Sequence, residues 1–198
     1  MGVEFELKFR ATPDIVQKIR QDISGKETSY DMETTYYDTR SGALSQRKIT
    51  LRRRMENGQS VCTLKTPAKG IGRMEFEVNS PDIEKALPEL CKLSGITELP
   101  VLLASGIAPL CGAKFQRIAK TLTFEGSILE LALDEGVLTG GGKTLPLCEI
   151  EVELKKGAEE AAVKYAKALA KTYGLQTEHA SKFARSRALA KGETHGTF

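Results

Sequence analysis

Tryptophan is absent from the 198 residues, histidine occurs twice and cysteine four times. Cys62, Cys91, Cys111 and Cys148 are scattered, none forms a CxxC pair, and neither His179 nor His195 stands near one in sequence. That spacing argues against a zinc site and against a disulfide framework. The four thiols read as small buried hydrophobes of a reducing compartment. No apolar run approaches the length of a membrane span. The N-terminus enters a charged stretch at once, so no secretory leader is expected. Glu6 stands where a myristoylation signal wants Ser or Thr. The expected location is the cytoplasm, with no membrane partner. Charge of one sign is missing as well: 29 Lys and Arg against 26 Asp and Glu leave +3. That balance does not suggest nucleic acid. The length, with 40% hydrophobic and 28% charged residues, suits one domain over 1–198 with a sizeable core.

What the chain does have is an arrangement of charge. Val3, Phe5, Leu7 and Phe9 alternate with Glu4, Glu6 and Lys8, a period of two that predicts a β-strand with one apolar and one charged face. Glu4 and Glu6 point the same way, and a cation over them would relieve their repulsion. Lys8 is one candidate for it and a metal ion another. The pattern returns in Cys148-Glu149-Ile150-Glu151-Val152-Glu153-Leu154. Between them, Arg52 and Arg54 share a face, as do Arg73, Glu75 and Glu77, and a further strand carries Lys65.

The rest of the chain supplies turns and helices. Thr12 and Pro13 make an N-cap and first helical position, with Ile15, Ile19 and Ile23 along one face. Strands are expected at 34–39, 49–54, 60–66, 73–78, 115–124, 128–134 and 149–153. Ser80-Pro81 is expected to start a helix by the same cap logic as Thr12-Pro13, and further helices are expected over 100–108, over 158–173 with Gly174 closing it, and over 183–189. Asn57-Gly58 and Glu125-Gly126 are hairpin turns. Gly140-Gly141-Gly142-Lys143 lacks the GxxxxGK[ST] spacing of a phosphate loop and reads as a hairpin loop. Tyr36 and Tyr37 alternate, so at most one faces the charged side. His179 reads as a surface residue.

Strands joined by turns pair antiparallel, and about eight suffice to close a barrel. The fold expected is therefore α+β: a closed eight-stranded antiparallel β-barrel with a charged lumen and helices packed outside. The apolar outer wall leaves a homodimer open. A lumen lined by cations on some strands and carboxylates on others suits polyphosphate carried with Mg²⁺ or Mn²⁺, hard ions that take oxygen ligands. Nucleic acid fits poorly, because carboxylates in the groove would repel its backbone.

The ordered set Glu4-x-Glu6-x-Lys8, Tyr36-Tyr37-Asp38-Thr39, Leu44, Leu51-Arg52-x-Arg54, Thr63-Leu64-Lys65, Arg73-x-Glu75-x-Glu77, Arg117, Glu130 with Asp134, Glu149-x-Glu151-x-Glu153 and Ser181-Lys182 resembles the CYTH superfamily, the triphosphate tunnel metalloenzymes. The resemblance spans about residues 3–190 and is most like the bacterial inorganic triphosphatases. It implies a tunnel that hydrolyses a triphosphate, inorganic tripolyphosphate first, with Mg²⁺ or Mn²⁺ and two ions in all. By that resemblance Glu4, Glu6, Asp134, Glu149, Glu151 and Glu153 are metal-side residues, with Glu130 assisting. Lys8, Arg52, Arg54, Lys65, Arg73, Arg117 and Lys182 hold phosphate, Lys182 reaching in from the last helix. Glu4, Glu6, Lys8, Lys65 and Arg117 carry the catalysis. Glu75 and Glu77 either bind metal or hold the arginines in place. Arg53, where the family commonly has a hydrophobic residue, should point outward. Class IV adenylate cyclases share the fold, but the His-Phe segment they usually show does not occur here. A thiamine or nucleoside triphosphatase and a non-catalytic triphosphate-binding module remain as alternatives.

Overall fold

The computed structural model describes residues 5–67 and 73–193. In chain order these form β1 (Glu6–Arg10), α1 (Pro13–Asp22), β2 (Lys26–Asp38), α2 (Ala43–Gln46), β3 (Thr50–Glu56), β4 (Gln59–Pro67) and β5 (Arg73–Asn79). There follow α3 (Ile83–Ser94), α4 (Leu99–Leu103), β6 (Ala108–Phe124), β7 (Ser127–Gly140), β8 (Lys143–Lys156), α5 (Glu159–Tyr173), β9 (Gln176–Thr177) and α6 (Lys182–Lys191).

The strands pair antiparallel in the order β5-β4-β3-β2-β6-β7-β8-β1-β9. This corrects the expectation of a closed eight-stranded barrel. Among the described residues there are nine strands, and no pairing joins β5 to the other end. The free edge of β1 is taken by β9, through Phe9 opposite Thr177 and Arg10 opposite Gln176. The sheet is nonetheless strongly curled, since side chains from β1 and from β5 line the same cavity.

Period-two alternation sorts the two faces. Outward from β1, β6, β7 and β8 point Phe9, Ile118, Leu129, Leu131, Leu133, Ile150 and Val152. These pack against Val16 and Ile19 of α1 and Ala162, Ala166 and Leu169 of α5. A second cluster places Leu51, Cys62, Leu64 and Phe76 under Ile83, Ala86 and Leu90 of α3, Leu44 of α2 and Leu99 of α4. The apolar strand faces are thus covered by the chain's own helices, and the charged faces turn to the concave side. Arg53 does point outward, donating to the Pro81 carbonyl.

Local chemistry places the helices. The Thr12 hydroxyl accepts from the Ile15 amide, Asp82 from Glu84, and Ser181 from Ala184, each satisfying an otherwise orphaned N–H. At the far end of α1 the buried Lys120 ammonium donates to the Arg20 and Ile23 carbonyls, 2.6 Å each. Asp38 accepts from the amides of Thr39, Leu44 and Ser45 and so shapes the turn into α2. The long strands exceed their expected lengths. Residues 26–33 of β2 and 108–114 of β6 lack strong β-branched alternation. They are extended because each pairs across the sheet: residues 26–33 of β2 lie opposite 114–121 of β6, and residues 108–114 of β6 lie opposite 33–38 of β2.

The last helix is unlike the others. α6 lies on the concave face, across β6, β7 and β8, with the Ser186 hydroxyl donating to the Gly112 carbonyl at 2.9 Å. The triple glycine forms the β7–β8 hairpin as expected, with positive φ at Gly141 and Gly142. Gly140 has a second role: a Cβ there would overlap the Ser186 carbonyl and Ala190. Gly140→Ala is expected to lift α6 off the sheet and cost about 1–3 kcal/mol, read as a lower midpoint in urea unfolding.

Candidate active site

The concave face encloses a cavity of about 500 Å³ lined from every strand except β9 and from the start of α6. Its charged lining contains Lys8, Arg52, Arg54, Lys65, Arg73, Arg117 and Lys182, together with Glu6, Glu75, Glu130, Glu151 and Glu153. The strand register explains the grouping. Across β7, β8 and β1 the charged face forms one row of Glu130, Glu153 and Glu6 and a second containing Glu151 and Lys8. A third row runs Arg117, Asp134, Glu149, Arg10. Glu4 lies outside the described residues. Asp134 and Glu149 do not line the cavity; both are at 0% exposure beneath it. Glu77 is exposed and accepts from the Thr63 hydroxyl.

Beneath the cavity three carboxylates meet three cations. Arg117 is bidentate to Asp134, 2.7 Å on each oxygen, and reaches Glu151 at 2.5 Å. The Lys182 ammonium contacts Asp134 at 2.8 Å and both Glu149 and Glu151 at 2.7 Å. Arg185 pairs with Glu149. Burial pushes the Glu149 carboxyl up to about 7, against the pull of Lys182 and Arg185. Burial acts the same way on Glu151, but Lys182 and Arg117 outweigh it and hold that carboxyl well below the usual range. Lys182 and Arg117 also sit over the Phe115 ring, 5.2 and 5.8 Å from its centroid.

The opposite wall carries Arg52, Arg54, Lys65 and Arg73. Glu75 bridges Arg52 at 3.0 Å and Lys65 at 3.1 Å, and Arg54 pairs with Glu56 at 2.6 Å. Arg73 donates to the Lys48 and Lys65 carbonyls and to the Thr50 hydroxyl. The Nε atoms of Arg52 and Arg54 are buried without a hydrogen-bond partner among the described residues. Burial, and then the like charge of Arg52, lower the Arg54 pKa below its ordinary value. An anion in the cavity would relieve both costs.

The carboxylate oxygens suit a hard divalent cation. Oxygens of Asp134, Glu149 and Glu151 lie within 4.8 Å of one another, but that cluster already faces three cations. The row of Glu6, Glu130 and Glu153 offers the same donors on the cavity wall. Only Lys155 (2.9 Å from Glu153, 3.4 Å from Glu130) and Lys8 (3.1 Å from Glu6) are seen beside it among the described residues.

Sequence reasoning missed several of these residues. Lys155 continues the Glu149, Glu151, Glu153 face by the same period of two, and Arg185 stands three residues after Lys182 on one helix. Both were within reach of the periodicity. Glu178 carried no such signal. It is buried, takes a 2.7 Å hydrogen bond from Arg10 and 2.8 Å from the Ala180 amide, and faces Arg185. Tyr36 faces the cavity and meets the Phe183 ring at a tilt, 5.0 Å between centroids, while Tyr37 packs outward. His179 is exposed.

Burial opposes ionisation of Glu178, but Arg10, the Ala180 amide and Arg185 prevail and lower its pKa from 4.5. Its stabilisation is therefore complete above about pH 4.5 and is lost as the pH falls through the lower folded value. Glu178→Gln is expected to cost about 1–3 kcal/mol at pH 7. The gap to wild type should close progressively below pH 4.5 in denaturant titrations run across the acid range.

Residues 2–187 match the CYTH domain family model. An inorganic triphosphatase of Haemophilus influenzae is 32% identical over 160 residues, 78% of this chain, and the chain spans 46% of that relative's length. Among solved structures, a Hippeastrum adenylyl cyclase candidate described as having a dominant triphosphatase activity superposes with a TM-score of 0.65 at 21% identity, covering 96% of this chain and 97% of that one. A Pyrococcus horikoshii protein superposes with a TM-score of 0.59 at 22% identity, covering 92% and 97%. At those identities the likeness is one of fold. The family model and the Haemophilus relative agree with the charge pattern on the concave face: this chain belongs to the CYTH domain family.

Proposed function

We propose that the protein hydrolyses the terminal phosphoanhydride bond of a triphosphate, inorganic tripolyphosphate foremost, to diphosphate and phosphate with a divalent cation. The observation that carries this reading is the meeting, in one cavity, of eight cations with a row of carboxylates. Two of those cations keep a buried donor with no partner among the described residues. The Haemophilus relative's activity supports the same reading. The curled sheet acts as the tunnel the family resemblance implies, with its two ends brought together around the substrate.

In this reading Lys8, Arg52, Arg54, Lys65 and Arg73 bind the phosphate oxygens and hold the chain of phosphates in line. Arg117 and Lys182 face them from the other wall and offset charge that builds on the terminal phosphate and the leaving diphosphate. The positive end of α6 adds to that field, since Ser181, Lys182 and Phe183 line the cavity. Asp134 and Glu149 act from below, holding Arg117, Lys182 and Arg185. Glu6 and Glu153, with Glu130 and Glu151 near them, would hold Mg²⁺ or Mn²⁺, which when bound supplies charge neutralisation and a more acidic water; the family resemblance adds Glu4 to that set. Glu75 holds Arg52 and Lys65. Glu75→Gln is expected to raise KM about tenfold while leaving the cation concentration needed for half-maximal rate unchanged. A shift in that cation requirement would make Glu75 a metal ligand.

One observation favours an organic triphosphate as a second substrate. Tyr30, Met32, Tyr36, Phe115 and Phe183 also line the cavity, an apolar wall that bare tripolyphosphate does not need. The deciding experiment offers tripolyphosphate, ATP and thiamine triphosphate to chelator-stripped protein, with and without Mg²⁺ or Mn²⁺, and follows phosphate and cyclic AMP. Cation-dependent phosphate release, fastest from tripolyphosphate, is expected. Cyclic AMP from ATP would make the protein a cyclase, and tight binding without either product would make it a binding module.

A further inference from the structure

We infer that Glu178 and Arg185 are positioning residues that lock α6 onto the concave face and so deliver Lys182 to the cavity; this rests on the triphosphate reading above. Neither residue lines the cavity, and both are buried, at 4% and 9% exposure. Lys182 and Arg185 stand at i and i+3, on one side of α6. They descend together onto Glu149, Lys182 at 2.7 Å. Arg185 also faces Glu178 across 3.7 Å. Glu178 in turn ties down two further pieces of chain. Its carboxylate accepts from Arg10 of β1 and from the Ala180 amide just before α6. Its own amide donates to the Lys8 carbonyl at 2.8 Å, which fixes the β1 backbone at a cavity cation. One buried carboxylate thus joins β1, the turn into α6 and α6 itself, and the Arg185–Glu149 pair closes the loop onto β8. α6 is also held by the Ser186 contact with Gly112, by Phe183 against Tyr36 and by the ion pairs of Lys182 itself, so opening the joint loosens Lys182 rather than freeing it. Loss of the joint should therefore act on phosphate binding through Lys182.

Two measurements on the full chain test this. Hydrogen exchange should show protection of residues 182–191 falling about tenfold or more in Arg185→Gln, with β6, β7 and β8 unchanged. Tripolyphosphate binding, measured by calorimetry with Mg²⁺, should weaken about tenfold in Lys182→Ala and by a similar factor in Arg185→Gln. The double variant should be no weaker than Lys182→Ala alone, because both changes remove the same contact. Glu178→Gln preserves shape and leaves Arg185 its Glu149 partner. It should move both readouts in the same direction if Arg185→Gln proves too unstable to purify. Unchanged exchange in α6, or losses that multiply in the double variant, would overturn the positioning role. Wild-type protein that does not bind tripolyphosphate would instead overturn the cavity reading, and with it the delivery of Lys182 to phosphate.

Discussion

Arg117→Ala is expected to cost about 3–5 kcal/mol of folding stability, among the largest effects of any single substitution in the chain. The guanidinium is the bidentate partner of Asp134 and also holds Glu151. Asp134 is completely buried and Glu151 nearly so. Alanine removes the charge and leaves two carboxylates to one ammonium, Lys182, which must also serve Glu149. Breaking a buried pair from one side is costly because the remaining charge keeps its desolvation penalty. Arg117→Lys restores the charge but not the planar fork, so it should recover only part of the loss. The measurement is the urea midpoint at pH 7 for wild type and both variants. A loss under about 1 kcal/mol for Arg117→Ala would mean that Lys182 alone compensates the cluster.

The double variant Glu6→Gln/Glu153→Gln is expected to lower cation-dependent turnover of tripolyphosphate by roughly a thousandfold, the rate equivalent of about 4 kcal/mol. The two residues face each other across β1 and β8, with side-chain exposures of 36% and 21%. The substitution keeps volume and hydrogen-bonding capacity, and solvent reaches both sites. Folding stability should therefore change little. The cation's affinity, followed by calorimetry in the absence of substrate, should fall along with the rate. Full cation-dependent turnover in the double variant would transfer the metal-binding role to other carboxylates. The natural next candidates are Asp134, Glu149 and Glu151, whose oxygens lie within 4.8 Å of one another.

The sequence by itself determined which face of each strand carries charge. Glu6 and Lys8, Arg52 and Arg54, Arg73 and Glu75, and Glu151 and Glu153 all line the cavity, because a period of two is local geometry that no tertiary contact can shift without moving a whole strand. Helix starts at Thr12 and Ser181 were legible for the same reason, since a cap bonds to a backbone amide two or three residues away; in α3 the cap is Asp82, two residues beyond the Ser80 to which the same logic pointed. Strand lengths were not. Residues 26–33 are extended by pairing with 114–121, and residues 108–114 by pairing with 33–38, and pairing across seventy positions or more leaves no mark on local composition.

Only the tertiary structure decided which charges meet. Register put Asp134 and Glu149 beside Arg117 and sank them below the cavity, although by pattern they are indistinguishable from Glu151 and Glu153. Docking of α6 onto the concave face brought Lys182 and Arg185 onto β8 from more than thirty positions away. It also gave Glu178 a buried role that its neighbours in sequence do not suggest. The two-residue β9 took the edge of β1 and left the strand order open, where counting strands alone had suggested closure. Side-chain direction is set within a strand. The pairing of opposite charges, and the burial that makes such pairing obligatory, are set between elements and depend on the whole chain having folded.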